Sequence, residues 1–493
     1  MTDEHRQYDV VIVGCGPTGA TLGLLLARSG VKVCILDKAR DIYPLPRAVH
    51  FDDEIMRIFQ NAGIAEKLAP CLHVNAGMRF LDQEGALLLD WPRPRKITEQ
   101  GWHASYRFHQ PDLENILREE LQKTECVDVR TETEAVEIKD EGKKVRLRAR
   151  DLDTGRKQEM TSKYVVGCDG ANSFVRQSLP QGTEDLGFQQ KWLVIDVILK
   201  SDMPQLGEYT LQYCNPNFPM TYCRNPGLRR RWEMAIDETS DDMAVQDQNR
   251  IWQMLAKWVT PECAEIERTA VYQFRSLVTK HWRDGRVMIA GDAAHLTPPF
   301  MGQGMCAGIR DASNLAWKLS SCLRNGHNDI LLSSYNEERK PHVRKFIETA
   351  VQLGELICSK TPEHALRTFA SDAVEKNSMK SLKLPLGQSK LSELVGAKMP
   401  LVGTLFGQPG LLSGKKMDEI YPYRPILVTF KPLKESLYPV ASSEEFPKLE
   451  EVLTESNLDG VLIRPDRYLL AYTENRAETV SLATDQNIRN WFA

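Results

Sequence analysis

The spacing of apolar residues changes several times along this chain, and each change marks an element. Val10-Val11-Ile12-Val13 is short and continuously apolar, the pattern of a strand buried in a parallel sheet. Thr18 to Ser29 has helical character, and Gly30 suits the position that ends a helix. Val31 to Leu36 is strand-like again, so residues 8–37 predict one βαβ unit. From about Val127 to Val166 polar and apolar residues alternate, as at Val127-Asp128-Val129-Arg130 and Ala135-Val136-Glu137-Ile138. That alternation predicts antiparallel strands.

Between residues 181 and 279 further strands are expected, at Trp192 to Leu199 and Arg231 to Ile236, interrupted by a helical segment near Asn249 to Trp258. Residues 285–319 read as strand, loop and helix, and residues 325–372 as charged helix. A Lys/Ser/Gly/Pro-containing stretch within 373–410 predicts a linker. The remaining residues carry their own strands, at Pro425 to Phe430 and Gly460 to Ile463.

Composition narrows the class. With 42% apolar and 26% charged residues the chain reads as globular, and its net charge of −4 gives no basic field for nucleic acid. No apolar run approaches the ~18 residues of a membrane span, and the start at Met1-Thr2-Asp3-Glu4-His5 reads as lacking a secretory signal. The 11 cysteines are scattered without a C-x-x-C pair, which fits reduced thiols and a cytoplasmic location. No metal site is expected.

Three motifs carry chemistry. Gly14-Cys15-Gly16-Pro17-Thr18-Gly19 follows a strand and opens a helix. Gly14 permits the tight turn, Gly16 lets backbone approach a pyrophosphate, and Gly19 allows close helix packing. The helix N-terminus offers free N–H groups to phosphate. Asp37, with Lys38 beside it, ends the second strand, where an acid about 20 residues on would bind a ribose hydroxyl. The second motif, Gly167-Cys168-Asp169-Gly170, taken alone is as readily a plain turn. The third, Gly285 to His295, ends a buried strand in Gly291-Asp292 and continues through Pro298-Pro299 and Gly302-Gln303-Gly304 into a helix from Met305. Asp292 could accept hydrogen bonds from ribitol hydroxyls. The helix start after Gly304 would favour negative charge on a reduced flavin.

These motifs resemble, in order, those of the flavoprotein aromatic hydroxylases, the group of p-hydroxybenzoate hydroxylase and phenol hydroxylase. Within the group the chain is most similar to 3-(3-hydroxyphenyl)propionate hydroxylase-like enzymes, through Pro46-Arg47-Ala48-Val49-His50-Phe51-Asp52-Asp53-Glu54, His109 to Glu114, Trp192 to Val197 and Arg230 to Glu233. The resemblance implies an α/β fold. A Rossmann-like FAD domain of the glutathione-reductase type (1–180 and 280–372) would carry an inserted mixed β-sheet substrate domain (181–279). After the linker would come a small thioredoxin-like domain (411–493), here without cysteines. It implies that Gly14, Gly16, Pro17, Thr18, Gly19, Asp37 and Lys38 hold the ADP half of FAD. Arg47 and Gln110 would contact the cofactor, Asp169 would serve FAD and NAD(P)H together, and Gly291 and Asp292 would hold the ribityl chain. Pro299, Gly302, Gly304 and Met305 would lie beside the isoalloxazine ring.

NADH or NADPH would visit transiently, since only one dinucleotide-binding unit is evident, and O2 would be the co-substrate. A C4a-hydroperoxyflavin would then hydroxylate a small phenolic or related aromatic compound. His50, His295 and Pro299 are the candidate catalytic residues. Trp192, Tyr213, Tyr222 and Trp232 are the candidate substrate-lining residues, with core packing as the competing role for each. Arg229-Arg230-Arg231 reads as a solvated strand face, or as a source of one cation for a substrate carboxylate. The sequence leaves open a homodimer, a non-phenolic heterocycle as substrate, and a non-catalytic FAD-bound redox sensor. No W-x-W-x-I-P segment of a flavin halogenase is present.

Overall fold

The computed structural model describes residues 7–368, 374–375, 378–394, 401–411 and 413–492. Residues Met1 to His5 and part of the expected linker lie outside them.

The strand Gln7–Val13 sits near the middle of an eight-stranded sheet, which explains its apolar run. It pairs in parallel with Val33–Leu36 on one side and Lys157–Gly167 on the other. Val287–Ile289 extends the parallel set beyond Lys157–Gly167. Val127–Arg130 extends it beyond Val33–Leu36, so this strand is parallel rather than antiparallel. Its alternation has a simpler cause: it ends the row of parallel strands and all four of its residues are only half-buried. Thr133–Asp140 and Val145–Asp151 form the expected antiparallel meander with Lys157–Gly167. The helices Pro17–Arg28 and Gly304–Asn325 pack against each other, so the first and third motifs share one side of the domain.

The second sheet has ten strands and reaches well beyond residues 181–279. Its longest strands are the antiparallel pair Thr183–Leu199 and Ala264–Thr279. Gly77–Leu81 and Leu87–Pro92 join through a parallel pairing with Thr210–Tyr213, and Ser378–Met379 then Val374–Glu375 add at the edge. The sheet has two different faces. Leu193, Ile195, Tyr222, Trp232 and Met234 form an outer core with Ile251 and Leu255 of the helix Gln248–Leu255. Trp192 and Phe80 turn the other way, toward Phe300 and the helix Asp329–Cys358.

At the C-terminus a four-stranded sheet runs in the order Val440–Ser442, Ile426–Thr429, Gly460–Ile463, Leu469–Thr473. The first pair is parallel and the others antiparallel, with helices Lys448–Glu455 and Arg476–Thr484 following their strands. Described residues of the stretch before it are packed: Leu386 N donates to Gly403 O, and Phe406 N donates to Arg467 O.

Candidate active site

At the nucleotide end the turn is dictated by sterics. Gly14 has φ +105°, and a Cβ there would lie 2.3 Å from the carbonyl oxygen of Cys168. A Cβ at Gly19 would lie 2.0 Å from the carbonyl of Gly14, whereas one at Gly16 would meet nothing within 4 Å. The turn is therefore tight behind and open in front. Gly16 caps the helix without any side chain bonding its first amides, so those N–H groups are available to a phosphate. Asp37 accepts from the amides of Cys15 (2.8 Å) and Ala39 (2.8 Å), tying the acid to the turn, while Arg118 stands 3.4 Å away. Lys38 is exposed.

Thr18 joins the two ends of the site. A Cβ added at Gly291 or Gly308 would clash with its hydroxyl, at 2.8 and 2.3 Å, so the first and third motifs touch. Asp292 has an accessible surface but is densely surrounded, and burial pushes its carboxyl above the ordinary range against the pull of His295 and Arg47. At the far end Gln303 caps the helix Gly304–Asn325 with no side-chain bond to its first amides. Pro299 and Met305 are half-buried on either side of Gly302, which has φ +64°. Two uncapped helix starts, an acid at the strand end and an accessible acid between them fit the diphosphate, ribose, ribityl and ring of FAD.

Several residues act differently from the sequence reading. Gln110 is engaged by the chain itself: its Oε1 accepts from the amides of Arg47 (2.9 Å) and Ala48 (2.7 Å), and its Nε2 donates to Glu114. It fixes the loop from which the exposed Arg47 projects over Tyr43. Asp169 accepts from Ser173 Oγ and from the amides of Phe174 and Val175, so its carboxylate organises its own turn. His295 is 2% exposed and bonded to Asp311 (2.7 Å), which also accepts from Gly291 N and Arg339. It braces the Gly291-Asp292 turn from behind. His50 lies against Gly302, with Nε2 2.7 Å from Ser105 Oγ. Burial and the nearby Arg107 lower its pKa to about 3, so it is neutral at ordinary pH and unsuited to acid/base exchange.

The aromatic candidates divide by face. Tyr222 and Trp232 belong to the outer core and Tyr213 packs against it, with Tyr222 and Trp232 rings 5.2 Å apart, so all three are packing residues. Trp192 is the exception: its ring lies 5.4 Å from Phe300, within the loop after Pro299. Arg231 is likewise no solvated residue. It is buried and grips Asp196 with two bonds of 2.7 and 3.0 Å.

The sequence reading passed over a buried network beside Gly302. Arg310 donates to Asp52 (2.6 Å), Glu54 (2.5 Å) and Gln303 (3.0 Å), and Tyr468 of the C-terminal domain donates to Glu54 (2.7 Å). Arg310 did leave a signal: it is a cation within Ala307-Gly308-Ile309-Arg310, an otherwise apolar run.

A family model described as an FAD binding domain matches residues 7–350. The chain belongs to this FAD-dependent aromatic hydroxylase family. It is 39% identical, over 422 residues, to a protein of Rhodococcus jostii named probable NADH-specific resorcinol 4-hydroxylase, covering 85% of this chain and 77% of that one. A 3-(3-hydroxy-phenyl)propionate/3-hydroxycinnamic acid hydroxylase of Burkholderia vietnamiensis is 34% identical over 72% of this chain and 64% of its own. Among solved structures, the flavin-dependent monooxygenase PieE in complex with FAD and substrate superposes with TM-score 0.79 at 18% identity, over 99% of each chain. A ternary complex of aklavinone-11 hydroxylase with FAD and aklavinone gives 0.77 at 20% identity, over the full length of both. Fold class and cofactor thus agree with the sequence reading. Among the described residues no helix is long and apolar enough to cross a membrane.

Proposed function

We propose that the protein hydroxylates a small phenol, of the 1,3-dihydroxybenzene or 3-hydroxyphenyl type, using NADH and dioxygen. The balance is ArH + NADH + H+ + O2 giving ArOH + NAD+ + H2O. Bound FAD supplies the relay of two electrons from NADH to oxygen and the transfer of one oxygen atom to the ring.

The chain's residues do the binding and shielding. The turn Gly14 to Gly19 and Asp37 would hold the ADP half, Arg47 the diphosphate, and Asp292 the ribityl chain. The uncapped start of the helix Gly304–Asn325 would favour negative charge on the flavin ring. His50, being neutral, supports Gly302, and His295 supports Gly291; both position backbone. Phe300 and Trp192 form an apolar wall at the inner face of the ten-stranded sheet, which excludes water from the reacting oxygen. The observation that carries the reading is the contact of Thr18 with Gly291 and Gly308, which makes one site of two motifs about 270 residues apart in sequence. The test is FAD reconstitution followed by NADH consumption with a panel of phenols. Stimulated consumption with a product heavier by one oxygen atom supports it. A flavin-loaded protein that no phenol stimulates overturns it.

A further inference from the structure

The inner face of the ten-stranded sheet has an apolar end, at Trp192, Phe80 and Phe300, and a polar end that the mechanism above does not use. Asp196 accepts two bonds from Arg231 and lies 3.0 Å from Arg268. Glu233 stands 3.5 Å from Arg231, and burial pushes its carboxyl above the ordinary range. Two buried guanidiniums, Arg231 and Arg268, hold Asp196, only Arg231 reaches Glu233, and Arg107 is a third buried cation beside them.

Arg107 is the one left over. It is 3% exposed, and among the described residues no carboxylate forms an ion pair with it. Its Nη2 donates to Thr210 Oγ1 on the substrate sheet, and its Nε is buried without a partner. Glu233 acts on it electrostatically without pairing with it, so the buried cation is only partly compensated, and such burial is costly. Its position is telling as well. In the strand Ser105–Arg107 it pairs directly with His50, whose side chain lies against Gly302 at the ring end of the FAD site. Arg107 thus spans from the flavin loop to the sheet that faces it.

We propose that Arg107, held by Thr210, is the anion-recognition residue of the substrate pocket and takes an oxyanion borne by the aromatic substrate. The inference rests on the functional reading above. Two sources share this chemistry: the phenolate of a ring hydroxyl and a carboxylate on a ring substituent. A guanidinium suits either through its paired N–H donors. Beside a ring hydroxyl it would favour the ionised form, which is the form that accepts an electrophilic oxygen.

The test uses the FAD-loaded protein and its Arg107→Met, Arg107→Lys and Thr210→Val variants. Binding of resorcinol and of a 3-hydroxyphenyl-alkanoate is measured by calorimetry across pH, alongside the KM and kcat of NADH consumption. Arg107→Met should bind its substrate at least about ten-fold more weakly, with FAD content unchanged, and Arg107→Lys should recover part of the loss. Thr210→Val should raise KM more than it lowers kcat. For a phenolate, wild-type affinity for resorcinol should follow ionisation of the phenol, and this dependence should vanish without the guanidinium. For a carboxylate, only the alkanoate should lose affinity. Unchanged affinity for both compounds in FAD-loaded Arg107 variants overturns the proposal. If Arg107→Met fails to fold, unchanged affinity in Arg107→Lys and Thr210→Val overturns it equally. If wild type responds to no phenol, the functional reading fails first and this one with it.

Discussion

His50 and Asp37 show how environment assigns work to a residue type. A histidine beside a flavin loop invites an acid/base role because its ordinary pKa is near neutrality. Here burial and Arg107 lower that pKa to about 3, so the imidazole stays neutral throughout the working range. In His50→Gln the pH profile of turnover between pH 6 and 8 should keep its shape, with any loss uniform; disappearance of one limb of the profile would show that His50 titrates in the reaction. Asp37 uses both oxygens on backbone amides of the turn and strand end. Charged hydrogen bonds are worth roughly 1.5–3 kcal/mol, so Asp37→Ala should weaken FAD binding by roughly 10–100-fold in a fluorescence titration. An unaltered affinity would remove Asp37 from the site. Both residues were visible in sequence, but only Asp37 sits in a local pattern, a strand-end acid after a glycine turn. The pKa of His50 depends on Arg107, more than fifty positions away.

At the scale of elements, the hairpin turn Arg464 to Tyr468 ties the C-terminal domain to the rest of the chain. Arg464 binds Glu338 (3.0 Å) on the helix Asp329–Cys358, and Lys318 reaches the same carboxylate (2.7 Å). Arg467 and Arg57 share Asp418. Arg464 and Lys318 hold Glu338 down at about 2 although burial opposes them, and burial draws Lys318 down to about 8. The folded pKa of Glu338 is below the ordinary carboxylate value of about 4.3. Its contribution is therefore present above that value and lost as pH falls toward about 2. Glu338→Gln strands two buried cations, a change that costs roughly 3–5 kcal/mol. Near neutral pH its melting temperature should fall clearly, and the gap from wild type should close as pH drops through 4 toward 2. A gap independent of pH would mean that packing, not charge, carries the contribution. The sequence showed the hairpin's residues but not their partners, since an ion pair across more than a hundred positions leaves no periodic trace.

For the whole molecule, the nucleotide half was legible and the substrate half was not, for one physical reason. Phosphate and ribose are held by backbone geometry, and a tight turn restricts its residues to glycine and a few others, so Gly14 to Gly19 and Gly291-Asp292 stand out in a linear string. A substrate face is formed by alternate residues of a strand. The alternation tells that Trp192 and Leu193 point apart, but not which of them meets the flavin loop. Trp192 and Trp232 were therefore equivalent in sequence, yet they lie on opposite faces. The strands Gly77–Leu81 and Leu87–Pro92 join the same sheet from the first part of the chain, a pairing invisible without the fold. The central claim is that one FAD, held jointly by the two halves of this domain, hydroxylates a phenol bound at the inner face. Purified protein supplied with FAD, NADH and a dihydroxybenzene should consume NADH and form, mole for mole, the ring-hydroxylated product carrying oxygen from labelled O2. NADH consumption that yields only hydrogen peroxide with every phenol tried, or a protein that takes up no FAD, would contradict it.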